Sequence, residues 1–315
     1  MNAWYTRFIQ IFKENSWRLM QVLSIIFCGL CMCVKSFAAV PDLSATNIFA
    51  TALKSKYMEL NKQLLNNQFK RALYLNSEES AHDLKGEIYA VVDYPFATFN
   101  AALSRSEHWC DALILNLNVK YCHTSNTQAG DFLTLNIGKK YNQPLAETYR
   151  LEFKYREMTS TANYFASELD AKNGPLGTYD YRILIEATPL NDKQTFLHFT
   201  YAYSFGLSAR IALQAYLATI ARDKIGFTVT GKTNDGQPAY IQGVRGVVER
   251  NTMRYYLAID AYLAALTAPV ESQLEKSLQY WFSNSEQYAL QLHEVERDEY
   301  LLMKHSEYLR QQTVQ

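Results

Sequence analysis

The sequence predicts an α+β fold, an antiparallel sheet followed by a long apolar helix and further helices. Three observations predict it. A strand over Ile88–Tyr94 runs into Pro95, and a helix over Phe96–Leu103 follows at once. Between about residues 130 and 205, segments of alternating polarity are joined by short polar connections such as "KNGPLGT" and "LNDKQ". From Gly206 onward the apolar residues recur mostly at helical intervals.

In chain order, residues 45–67 place Ile48, Leu53, Tyr57, Leu60 and Leu64 at spacings of three to five, which predicts an amphipathic helix. "RALYLNSEESAHDLKGEIYAVVDYP" then reads as two strands around a polar turn. In "AETYRLEFKYREMTS", Tyr149, Leu151, Phe153 and Tyr155 share one face and Arg150, Glu152, Lys154 and Arg156 the other, the period of a half-buried strand. "LHFTYAYSF" sets Leu197, Phe199, Tyr201, Tyr203 and Phe205 on one ring-lined face. A helix with Leu207, Ile211, Ala215 and Ala218 at helical intervals follows, then a hairpin about Asn234-Asp235-Gly236, since Asp-Gly favours that turn. "VERNTMRYYLAIDAYLAAL" predicts the long helix. Residues 270–312 predict one or two more, broken near Ser283–Ser285, with Val295, Leu302 and Leu309 at sevenfold intervals on a packing face.

The N-terminus carries Arg7, Lys13 and Arg18, an apolar run Leu19–Val34, and Ser36 and Ala38 at the two small positions of a cleavage pattern. The run is shorter than the roughly 20 residues of a spanning helix. Residues 1–38 therefore read as a signal peptide cleaved near Ala38, with an uncleaved anchor as the alternative, and the product is expected to be periplasmic or secreted. Cleavage removes four basic side chains and one acidic one from a balanced set of 31 and 31, leaving a formal charge of −3. No basic excess or stripe remains, so nucleic acid is not an expected partner.

Cys110 and Cys122 are the two cysteines that outlast cleavage, and an oxidising compartment favours joining them, two free buried thiols being the alternative. A straight strand from Ile114 to Cys122 would span about 26 Å, whereas bonded cysteines hold their Cα atoms about 4.4–6.8 Å apart. The expectation is therefore a helix from near Glu107 through Cys110 to about Leu115, a reversal near Asn116–Asn118, and a strand Val119–Cys122 returning beside it.

Motifs for chemistry are scarce. The six histidines form no zinc-binding pattern, "HEVER" ends on Arg297 where a ligand would stand, and no glycine loop suits a phosphate, so no metal and no cofactor is implied. His198 lies opposite the ring face of its strand and reads as a hydrogen-bonded structural residue rather than a general base. Arg245, Glu249, Arg250 and Arg254 read as a salt-bridged helix start; the alternative is that Arg250 and Arg254 meet an anionic head group, for which guanidinium is suited.

"GEIYAVVDYPFATFNAALSRSEHWCDAL" resembles the opening of the START-like (SRPBCC) helix-grip superfamily: a strand ending at Pro95, a helix with an aliphatic face, and Trp109 before the next strand. The resemblance covers roughly residues 85–265 and implies an antiparallel curved sheet gripping a long helix, with a helical C-terminal extension. It divides the chain into the signal peptide 1–38, a helix and first strand over 39–84, the helix-grip domain 85–266 with an inserted helix-hairpin at about 207–242, and the extension 267–315. Val247–Leu266 is the expected gripped helix, Leu207–Lys224 the competitor. The resemblance also implies an apolar cavity for a lipid or sterol-like ligand, lined by Phe153, Tyr155, Ile183, Ile185, Phe199, Tyr201 and Tyr203, with Arg250 and Arg254 near its mouth. A carrier of a hydrophobic small molecule, in transient contact with a membrane, is thus the first expectation. A cyclase- or hydrolase-like enzyme using Asn116, Lys120 or His198 is the second, and an interaction protein of the cell envelope with a filled core the third.

Overall fold

The computed structural model describes residues 43–219 and 222–313; the expected signal peptide, residues 1–38, lies outside them. Helices α1 (Leu43–Glu59) and α2 (Asn61–Leu65) lead into strands β1 (Leu73–Glu79) and β2 (Asp83–Val92). Pro95, just past the end of β2, is the N-cap of α3 (Phe96–Leu103), after which come α4 (Ser106–Leu113), β3 (Val119–Thr127) and β4 (Gly130–Ile137). The sheet continues as β5 (Tyr149–Ser160), β6 (Phe165–Asn173), β7 (Thr178–Pro189) and β8 (Thr195–Phe205).

All eight strands pair antiparallel in the order β1-β2-β8-β7-β6-β5-β4-β3, so the meander β3 to β8 returns to β2 and leaves β1 and β3 at the edges. Short connections dictate this topology, because only antiparallel neighbours can be joined by a few residues. After β8 come α5 (Leu207–Ala218) and a separate two-stranded hairpin, β9 (Val229–Lys232) and β10 (Pro238–Tyr240). The long helix α6 (Gly243–Ala265) follows, then α7 (Val270–Glu286), α8 (Ala289–Leu292) and α9 (Arg297–Gln312). The break expected at Ser283–Ser285 falls later, after Glu286, because Gln287 still donates to Ser283.

The sheet grips α6, as expected for Val247–Leu266. Eighteen of its 23 residues are buried, which is the signature of a helix enclosed on all sides rather than laid on a surface. It rests against β1, β2 and β8 on one side and against α4 and α7 on the other. The approach to β2 is close enough to require glycine: a Cβ on Gly86 would collide with Thr252 Oγ1.

The opposite face of the sheet is partly covered by α1 and α2. Leu53, Leu60 and Leu64 join Tyr89, Tyr164, Ala166 and Phe196 in a second, smaller core. Ile48, expected on the packing face of α1, is 67% exposed, because the helix presents Ala50 and Leu53 inward instead. Ile211 and Leu207 of α5 are likewise exposed, and this helix meets the core through Ala209 and Leu213.

Cys110 and Cys122 are joined, with Cα atoms 5.3 Å apart. The helix ends at Leu113 and the chain turns through Ile114–Asn118, with Val119 donating back to the Asn116 carbonyl. Closing this short loop is worth about 3 kcal/mol in the chain-entropy account.

Candidate functional site

The inner face of the sheet is written in rows that the register makes explicit. Gly86, Tyr201, Ile183, Leu169 and Tyr155 lie side by side across five strands, and Ile88, Phe199, Ile185 and Ser167 form the next row. The apolar and ring-bearing residues singled out from the sequence, Phe153, Tyr155, Ile183, Ile185, Phe199, Tyr201 and Tyr203, are all buried and all on this face. Alternation made that legible.

Four tyrosines from three elements meet at one end of this interior. The Tyr201 ring lies 5.2 Å from Tyr255 of α6, 5.7 Å from Tyr203 and 6.3 Å from Tyr181 by centroid, and Tyr181 stacks on Tyr203 at 5.1 Å. The Tyr181 hydroxyl is 2.9 Å from Thr178 Oγ1. Burial, with the neighbouring phenols adding to it, pushes the Tyr201, Tyr203 and Tyr255 hydroxyls up from their ordinary range, so they stay neutral donors. Deeper in, Ser167 is fully buried and its hydroxyl has no hydrogen-bond partner. Within "NYFASELDA" nothing distinguished that serine from a small spacer; only its row beside Ile185 places it inside.

These rings pack against one another. A cleft of about 340 Å³ opens instead on the outer face, lined by Tyr121, His123, Thr134, Asn136, Leu145, Ala146 and Arg150. A space of about 10 Å³, room for one water, lies among Leu117, Trp281, Ser285, Leu292 and Glu294.

The polar residues considered for catalysis do not converge. His198 faces outward, as its alternation predicted, with Nδ1 2.8 Å from Glu186, Nε2 3.2 Å from Glu87, and its ring stacked 4.1 Å from Tyr89. Burial works to lower the imidazole, yet the two carboxylates raise it above its ordinary value. Burial likewise works to raise Glu87, but bonds from His198, Lys85 and Asn76 bring it down to about 2. Lys120 is buried at 3.0 Å from Glu307, and the Asn116 carbonyl accepts from Lys304.

The arginine cluster is salt-bridged in part, but not within the helix start itself. Arg245 and Glu249 meet through a shared partner, Ser77 Oγ, at 3.1 and 2.6 Å. Glu249 also accepts from the Phe227 and Thr228 amides, fastening the inserted hairpin to α6. Arg250 donates to the Ile225 carbonyl at 3.0 Å, and Arg254 to Glu294 of the C-terminal extension at 2.7 Å. Each guanidinium group thus has a protein partner other than the ring-lined interior, though Arg254 Nε is left without an acceptor.

The sequence matches no protein-family model and no curated protein relative. Among solved structures it is similar to a conserved protein from Geobacillus kaustophilus, at 12% identity over 57% of this chain and 95% of that one, with a TM-score of 0.33. It is also similar to a START superfamily protein from Mycobacterium smegmatis, at 13% identity over 45% of this chain and 93% of that one, TM-score 0.31. A truncated norcoclaurine synthase from Thalictrum flavum is similar at 11% identity over 46% and 91% of the two chains, TM-score 0.32. Strand β2, a helix pair, a six-strand antiparallel meander returning to β2 and a long buried helix are together what give this chain the START-like helix-grip fold.

Proposed function

We propose that this is an exported protein that binds a hydrophobic small molecule, lipid or sterol-like, between the inner face of the sheet and α6. The observation that carries the reading is the convergence of Tyr181, Tyr201, Tyr203 and Tyr255 in an apolar interior. A core built for stability alone has little use for buried phenols, since each hydroxyl must be desolvated. A few polar groups in a mostly apolar recess are what orient a small ligand. Helix α5, which meets the core through Ala209 and Leu213, is the element whose displacement would admit one. Export is supported by the Cys110–Cys122 bond, which an oxidising compartment maintains, and mature protein is expected to begin at Ala39.

The test is native mass spectrometry with lipid extraction of protein purified from its own cells, paired with Tyr201→Trp. A stoichiometric lipid, and a fluorescent fatty acid or sterol whose binding falls in a folded Tyr201→Trp protein, bear the reading out. An empty protein in which the same change destabilises by about 1–3 kcal/mol with no effect on probe binding refutes it.

A second reading has its own observation. Leu302 and Leu309 of α9, expected to pack, are 75% and 67% exposed on the outward side of the extension. With a filled interior, that face suits an interaction protein of the cell envelope.

A further inference from the structure

Three segments distant in sequence bring four cations to one carboxylate. Lys140 comes from the β4–β5 connection, Lys224 from the stretch after α5, and Arg250 and Arg254 from the gripped helix. Glu294 Oε1 accepts from Lys140 Nζ at 2.5 Å and Arg254 Nη2 at 2.7 Å, while Oε2 lies 3.1 Å from Lys224 Nζ. One negative charge thus faces three cations directly, with Arg250 close behind. Among the described residues no second carboxylate lies within 4.0 Å of Lys140, Lys224 or Arg254.

The imbalance has visible consequences. Burial, and then the neighbouring Arg254, pushes Lys140 down to about 8, and burial followed by Arg254 lowers Arg250. Arg254 is 2% exposed, yet its Nε–H has no acceptor. A buried guanidinium with an unused donor among like charges is poised for more negative charge than Glu294 supplies. Lys140 and Lys224 remain partly exposed, which opens the cluster to solvent on one side. Glu294 itself stands on the non-helical connection between α8 and α9, so it can withdraw without unwinding a helix.

We propose that Lys140, Lys224, Arg250 and Arg254 form a binding site for a dianionic oxyanion of the phosphate type, in which the Glu294 carboxylate is the resident counter-ion that the incoming anion displaces. A phosphate offers several oxygens at once to the two arginine forks and the two ammonium groups, where a single carboxylate satisfies only part of them. The site is separate from the ring-lined interior and does not depend on a ligand there.

The experiment titrates inorganic phosphate into the full-length protein, with chloride at matched ionic strength as control, reading the thermal midpoint and the Lys140 side-chain resonance. Phosphate is expected to raise both the midpoint and the Lys140 titration point saturably, where chloride does neither. Glu294→Gln removes the internal competitor and should tighten phosphate binding at least tenfold. Lys224→Ala, at a partly exposed position, should weaken it at least tenfold while the protein stays folded. A response to phosphate no different from chloride overturns the proposal, as does a folded Glu294→Gln protein that binds phosphate no more tightly. If Glu294→Gln does not fold, Lys224→Ala decides alone, and undiminished phosphate binding overturns it. Co-sedimentation with phosphatidic acid vesicles but not phosphatidylcholine vesicles, lost in Lys224→Ala, assigns the phosphate to a lipid head group. Phosphate binding without co-sedimentation assigns it to a soluble anion.

Discussion

Gly86 of β2 lies directly beneath Thr252 of α6, where even a methyl group would overlap the threonine hydroxyl. The Thr252 hydroxyl is meanwhile held by the Val248 carbonyl at 2.7 Å, so it cannot easily turn aside. Strand and helix therefore meet backbone to side chain, and the glycine sets how tightly the sheet closes.

Gly86→Val should accordingly lift α6 off β2 and cost about 1–3 kcal/mol, as overpacking of a close-packed interior does. A fall in the urea midpoint with an unchanged slope is the expected result.

The Cys110–Cys122 bond should be intact in the isolated protein, so titration of the denatured, unreduced chain is expected to find neither thiol reactive. Replacing both by serine should cost about 2–4 kcal/mol, seen as a lower thermal midpoint.

The outer-face cluster of Glu87, His198 and Glu186 predicts a pH dependence. His198 is raised above 6.5, so its contribution is complete below 6.5 and is lost as pH climbs through the raised value. Glu87 is lowered from 4.5 to about 2, so its contribution is complete above 4.5 and is lost as pH falls toward 2. The cluster should stabilise most between pH 4.5 and 6.5. His198→Gln should flatten the loss on the alkaline side of that window, as measured by denaturation across pH.

Lys120, Lys304 and Glu307 form a buried triad in which one carboxylate serves two ammonium groups, at 3.0 and 2.6 Å. Burial presses Lys304 down to about 8. Glu307→Gln strands both cations and should cost about 3–5 kcal/mol. Adding Lys120→Met should recover part of that loss, since one uncompensated charge is then gone; guanidinium denaturation of the single and double variants checks both.

What could be read from the sequence was local. Pro95 marked the strand-to-helix step, alternation placed Tyr201 and His198 on opposite faces, and the length and apolarity of the late helix picked out the one that is gripped. The chain reversal before β3 was also legible, because the disulfide forbade a straight strand. Tertiary pairings were not. Arg254 finds Glu294 forty residues on, and spacing along a helix says nothing of a connection elsewhere in the chain. On α9 hydrophobicity misled: Leu302 and Leu309 are outside, while Lys304 and Glu307 are inside because they satisfy each other and the carbonyls of the β3 turn. Ser167 stayed hidden for the opposite reason, a small polar residue in a strand whose neighbours alone reveal its depth.

The grip of Lys304 on the Asn116 and Val119 carbonyls, 2.7 and 2.8 Å, joins positions 188 and 185 residues apart. That distance along the chain is also a delay during synthesis. A nascent polypeptide can form its meander early, with α4 against β3, but the edge strand β3 is not fully covered until α9 has been made. Contacts of such long separation form late, and an uncovered strand edge invites pairing with other chains in the interval. With that last fastening still unmade, the chain remains loosely held until the residues around Lys304 arrive.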